Sequence, residues 1–130
     1  MKDYLDGVFL QDFKVLKTLG QGGMGVVLLC QQKSLSRQVA VKILSVDVVN
    51  KSLKRRFKRE AEVLTKLRHP NIVTIYDYGQ TEQRPYLVQE YVEGKTLDDL
   101  IGKRGKLPLK KVLTYARQII GGLIHAHEQN

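Results

Sequence analysis

The chain has one cysteine, Cys30, among its 130 residues. A single thiol cannot build a disulfide framework within the chain, and a reducing compartment is its natural setting. Tryptophan is absent, and prolines number only three. No apolar run approaches the roughly 20 residues that a helix needs to span a bilayer. The first residues, Met1-Lys2-Asp3-Tyr4-Leu5-Asp6, carry acids and no long apolar stretch, unlike a secretory signal. A cytoplasmic location is therefore expected, leaving open a membrane anchor downstream. Acids are the minority charge, 13 against 22 basic residues, for a formal net charge of +9. That excess suits anionic ligands, yet the basic residues are dispersed apart from local clusters at 51–59 and 103–111. No recognised nucleic-acid motif accompanies it, so no nucleic acid is expected as a partner. Repeats and low-complexity tracts are missing too. What remains is a chain that is 42% apolar, enough for a packed core in one domain or a piece of one.

The most informative stretch runs from Leu19 to Lys42. Gly20, Gly22 and Gly25 stand in the spacing G-x-G-x-x-G, with Gly23 as a fourth glycine inside it. Without a Cβ, such a loop can bend sharply and bring backbone N–H groups close to phosphate oxygens. A dinucleotide-binding loop of this spacing would open directly into a helix. Here Val26-Val27-Leu28-Leu29-Cys30 follows, a short buried-strand pattern, and the Gly-Lys-Ser/Thr ending of the other common phosphate loop is absent. The loop therefore joins two strands. After a polar connection, residues 38–44 alternate, with Val39, Val41 and Ile43 on one face and Ala40, Lys42 and Leu44 on the other. A lysine inside an apolar strand asks for a partner.

A helical pattern over 50–67 supplies candidates. At about 100° per residue, Glu60 shares a face with Phe57 and Leu64, while Glu62 points about 200° away. Glu60 is thus the expected partner of Lys42, and Glu62 is expected to be solvated. Arg68-His69-Pro70 should stop this helix. Strands are expected over 13–19, 26–30, 38–44, 72–78 and 86–91, a short helix at most over 96–101, a basic loop over 102–105 and a long helix over 109–128 opened by Pro108. Residues 1–11 read as a leader. Thr96 reads as a helix start. The three histidines do not suggest a metal site, since His125 and His127 point in different directions on a helix. Short connections between strands, with helices to one side, make the fold class α+β with an antiparallel sheet.

These segments together resemble the start of a eukaryotic-type (Hanks-type) serine/threonine protein kinase of the bacterial branch. Gly20 to Val27 resembles its glycine loop, Val39-Ala40-Val41-Lys42 its lysine strand, and Glu60 its helix-C glutamate. His69-Pro70-Asn71-Ile72 resembles the segment after that helix, and Tyr86-Leu87-Val88-Gln89-Glu90-Tyr91-Val92 the hinge. The resemblance implies a small lobe and hinge over 12–92, with a five-stranded antiparallel sheet and helix C, and the start of the large lobe over 93–130. It implies ATP as ligand, with Leu19, Gly20, Gly22, Gly23, Gly25, Val27, Ala40, Lys42, Gln89, Glu90 and Val92 around it. Val27 and Ala40 would sandwich the adenine, backbone groups of Glu90 and Val92 would bind its edge, and Gln89 would guard the back. Lys42 and Glu60 would be the catalytic pair.

The family's His-Arg-Asp…Asn loop and Asp-Phe-Gly segment, which supply the base and the Mg2+ ligands, do not occur in these residues. The expectation is a chain that binds nucleotide without transferring phosphate to a protein substrate by itself. The long helix has an apolar face of Val112, Ala116, Ile119, Ile120 and Leu123, of which Ile119, Ile120 and Leu123 would want cover from the rest of the large lobe or from a partner protein. The competing reading is a non-catalytic small-lobe module that docks on a partner.

Overall fold

A computed structural model of the chain describes residues 7–22, 25–45, 51–81 and 84–129. It divides into two compact units, Met1–Lys66 with Thr74–Tyr91, and Leu67–Val73 with Val92–Asn130.

The first unit holds α1 (Gly7–Asp12), β1 (Phe13–Gly22), β2 (Gly25–Gln32), β3 (Arg37–Leu44), α2 (Lys51–Leu64), β4 (Ile75–Gln80) and β5 (Pro85–Glu90). The strands form one five-stranded sheet in the order β1-β2-β3-β5-β4, antiparallel at every pairing. The alternation read from β3 sets the two faces. Val39, Val41 and Ile43 are fully buried with Val26, Leu28, Cys30 and Val88 in the main core. Burying each such side chain stabilises the fold by roughly 1.5–3 kcal/mol. Burial also pushes the Cys30 thiol up to about 12, so it stays protonated and unreactive.

The segment read as a leader contributes to this core. Its residues 7–12 form α1, and Phe9, only 2% exposed, stacks on Phe13 at 4.9 Å and meets Tyr86 edge-on at 5.3 Å. Tyr86 in turn needs Gly79 opposite it on β4, because a Cβ there would collide with the tyrosine ring. Asp12 ties the end of α1 to the β2–β3 turn. It accepts from the Ser34 N–H at 2.9 Å and from Gln32 Nε2 at 3.2 Å, and Gln32 Oε1 accepts from Arg37 Nε at 2.8 Å. Arg37 then lies 3.8 Å over the Tyr76 ring.

The opposite face carries the second, smaller core. Ala61 of α2 packs with Ile75, Leu87 and Tyr78. Ile75 and Tyr78 are three apart, an odd spacing that would put them on opposite faces of a regular strand. A register shift between Ile75 and Asp77 absorbs one residue, so both reach the face that α2 covers.

Several boundaries differ from expectation. The first strand does not stop at Leu19 but runs through Gly20 to Gly22, because Gly20 and Gln21 pair with Val27 and Val26. The first long helix ends at Leu64 rather than residue 67. Thr65 still donates to Ala61, but Lys66 donates to Val63, a tightened last turn. The next strand begins at Ile75, not Ile72, because Pro70 and Asn71 form a turn in which Ile72 N–H donates to His69 O and Asn71 N–H donates to His69 Nδ1.

The second unit contains that turn with α3 (Leu97–Arg104) and α4 (Leu109–Glu128). Thr96 caps α3 in a capping box, accepting from the Asp99 N–H while Asp99 accepts from Thr96 N–H. The basic loop expected over 102–105 is mostly helical. Gly102 sits inside α3, and the stop comes at Gly105, whose φ of 70° lies in the left-handed region. Gly122 lets α4 approach the turn closely, since a Cβ there would press on Asn71 O and Ile72. The His69 and His125 rings meet 5.2 Å apart. Ile119, Ile120, Leu123 and Ile124 on α4 are half exposed or more.

Candidate functional site

A single row of paired residues crosses the first unit. Gly20 on β1 pairs with Val27, Val27 with Lys42, Lys42 with Leu87, and Leu87 with Tyr78. Directly paired residues of antiparallel strands present their side chains on the same face. Lys42 therefore lies on the α2 side of the sheet, beside Leu87, which packs on Ala61. The next row on that face holds Leu29, Ala40, Gln89 and Ile75. Val27, Ala40, Lys42 and Gln89 thus share one surface, as the alternation predicts. Ala40 is buried, while Val27, Lys42 and Gln89 are half-buried.

Gly20, Gly22 and Gly25 of the loop do different work. Gly25 has φ +136°, and a Cβ there would strike the carbonyl of Ile43. Its glycine is required by the fold itself. Gly20 and Gly22 have no such constraint among the described residues: a Cβ at either would meet none of them within 4 Å, and neither has a left-handed φ. Gly23, with its neighbour Met24, lies outside the described residues. Leu19, ahead of Gly20, is exposed.

Glu60 lies on α2, but its side chain is outside the described residues, so its pairing with Lys42 is not observed. Glu62 is exposed, as expected, and also has a partner. Its Oε1 accepts from the Tyr78 hydroxyl at 3.1 Å. At the end of β5, Glu90 is anchored twice, its N–H donating to Thr74 O at 2.8 Å and its Oε2 accepting from Thr74 N–H at 3.1 Å. Val92 begins the longer segment of the second unit and is exposed. Among the described residues no group of three or more His, Cys, Asp or Glu side chains is placed to hold a metal ion, and no helix is long and apolar enough to cross a membrane.

Residues 13–130 match the family model of the protein kinase domain. The chain belongs to the protein kinase family. Its sheet and α2 are the N-lobe of that domain, and α3 and α4 begin its C-lobe. It is 44% identical over 117 residues to the serine/threonine-protein kinase PrkC of Bacillus subtilis, covering 89% of this chain and 18% of PrkC. It is 41% identical over 118 residues to the serine/threonine-protein kinase pkn2 of Myxococcus xanthus, covering 90% of this chain and 14% of pkn2. The crystal structure of the Mycobacterium tuberculosis PknI kinase domain superposes with a TM-score of 0.83 at 30% identity, over 92% of this chain and 49% of that one. The chain thus spans less than a fifth of these two curated relatives and about half of that kinase domain. Bacterial serine/threonine kinases are its kin, and the kinase fragment it represents is of their type.

Proposed function

We propose that this chain is the nucleotide-binding part of a serine/threonine protein kinase that transfers the γ-phosphate of ATP to protein hydroxyls. The observation that carries the reading is the contrast within the glycine loop. Gly25 is demanded by the fold, whereas Gly20 and Gly22 leave open space that only side chains would fill. Small residues without an internal reason suit a close approach by phosphate oxygens. Lys42, in the same row as Gly20 and Val27, would neutralise those phosphates, and Glu60 would hold Lys42. Val27 and Ala40 present an apolar surface for the base, with Gln89 behind them. Glu90, its N–H held by Thr74 O, would offer its carbonyl to the base's amino group, with Leu19 at the rim. Mg2+ would be carried in with ATP and would screen the phosphate charge.

The test compares Gly22→Val with Gly25→Ala in the full protein carrying this chain. Gly22→Val is expected to leave the melting temperature within a degree or two and to weaken binding of a fluorescent ATP analogue about tenfold or more. Gly25→Ala is expected to lower stability first. Unchanged nucleotide affinity in a folded Gly22→Val variant overturns the reading. A second reading, a module that docks on a partner, draws on the half-exposed Ile119, Ile120 and Leu123. The remaining large lobe is the cover we favour for them.

A further inference from the structure

Element α1 lies ahead of residues 13–130, the span that matches the protein kinase domain. Its six residues are too few for a helix to hold itself in water, where even about 12–15 are marginal. Its inner anchor is Phe9, packed on Phe13 and Tyr86. Its outer anchor is the turn between β2 and β3, which caps the C-terminal end of α1 from 22 residues further along the chain. Lys33 Nζ donates to Gln11 O at 3.0 Å and the Lys33 N–H to Asp12 O at 2.7 Å, so two terminal carbonyls of the helix are satisfied. Ser34 gives both of its donors to Asp12. The N–H lies at 2.9 Å, and hydroxyl and N–H together are the main reason the carboxyl is held below its usual value. Ser34 is exposed, as are Lys33, Leu35 and Ser36 around it. The anchor beneath α1 is thus buried, while the cap that closes its end is open to solvent at a serine hydroxyl.

We propose that Ser34 is a phosphorylation site, modified by a second copy of this kinase, and that its phosphate releases α1 from the β2–β3 turn. This rests on the kinase reading given above. The donor is ATP. Ser34 Oγ forms a bond to the γ-phosphorus, the bond from that phosphorus to the bridging oxygen breaks with its electron pair leaving on ADP, and the hydroxyl proton is released to solvent. Transfer runs between copies because Ser34 follows the end of β2 opposite to the glycine loop. From Gly25 to Gln32, at about 3.3 Å per residue, roughly 23 Å separate the two ends of that strand. The phosphate reverses the chemistry of the cap. A hydroxyl that donates to Asp12 becomes a group with a charge of about −1.5 to −2 at pH 7, set against a carboxylate. It also draws the ammonium of Lys33, its neighbour in the chain, away from Gln11 O. With its C-terminal end unsupported, α1 no longer holds Phe9 on Phe13 and Tyr86.

The test mixes the full wild-type kinase with an isotope-labelled Lys42→Ala copy, adds ATP and Mg2+, and reads both copies by peptide mass spectrometry. Phosphate is expected on Ser34 of the labelled copy, and none there when the wild-type copy is left out. Phosphate on other sites with none on Ser34 overturns the proposal and leaves the kinase reading standing. No phosphate on either copy overturns the kinase reading and the proposal together. Hydrogen exchange of the peptide spanning 7–12 then reads the switch. Phosphate on Ser34 is expected to speed that exchange about tenfold or more. Ser34→Ala, which loses the hydroxyl bond without gaining charge, should speed it about threefold or less. Asp12→Asn keeps an acceptor for the Ser34 N–H but removes the charge that the phosphate opposes. In that background the acceleration by phosphate should fall to about threefold or less. Unchanged exchange after phosphorylation, or the full acceleration in Ser34→Ala or in the Asp12→Asn background, overturns the release of α1.

Discussion

At the scale of single residues, Asp12 carries a charge the fold uses. Hydrogen bonds from the Ser34 side chain and N–H, and then from Gln32, hold its carboxyl below the usual value. A lowered carboxylate pKa contributes stability above the unfolded value of about 3.9 and loses it as pH falls through the folded value. Asp12 is only partly buried, and screening by water keeps the contribution small. The expected outcome is a modest gap in melting temperature between wild type and Asp12→Asn at pH 6, closing as pH falls below about 4. A thermal melt series from pH 6 to 2.5 measures it, and a gap that does not narrow as pH falls contradicts it. Residue-level readings fared unevenly. Thr96 as a helix start was visible in its spacing to Asp99, because a capping box is local chemistry. The Tyr78–Glu62 bond was not, because its partners are 16 residues apart and meet only through the register of β4.

At the scale of elements, β3 was the plainest segment in the sequence, since its alternation is the signature of a strand with two different faces. Element α1 was the least visible. Six residues are too few to show a helical period, and a lone phenylalanine in a short segment carries no signal of its burial. Its weight is nonetheless testable. Phe9→Ala removes a ring packed on Phe13 and Tyr86, and large aromatic truncations in cores cost about 3–5 kcal/mol. We expect chemical denaturation to show a loss toward the lower end, because α1 is a short element of six residues that can shift to fill the space. A change below about 1 kcal/mol would place Phe9 outside the working core. The strand after α2 was read three residues early for a related reason: Ile72, Val73 and Thr74 are all β-branched and look strand-compatible in composition, and only the His69 side chain binding the Asn71 N–H shows a turn.

At the scale of the whole molecule, the main core closes well while α4 does not. Gly122 is its only buried residue. Leu113, Ile120 and Ile124 lie along one flank, and Ile119 and Leu123 along another, all exposed by about half. Full burial of each would be worth roughly 1.5–3 kcal/mol, so the uncovered helix favours association. Sedimentation of the isolated 130-residue chain should show mass rising with concentration, and Ile119→Glu with Leu123→Glu should suppress that rise. A strictly monomeric wild-type chain at high concentration would argue that these side chains are covered in solution. The family was legible from the sequence because its motifs sit at fixed distances along the chain. The division of 67–73 from the helix and strand that flank it was not, because it depends on contacts with a helix some fifty residues later.

The register shift at Tyr76 also governs how this chain can vary in length. A residue gained or lost in the turn at Lys33 to Ser36 lies beyond the paired rows and leaves them as they are. A residue gained or lost beside Tyr76 flips Ile75 or Tyr78 to the far side of the sheet. One change lengthens a loop; the other strips α2 of its footing and detaches the lysine's side of the sheet from the helix meant to serve it. Variants of this lobe should therefore accumulate insertions at the first place and none at the second.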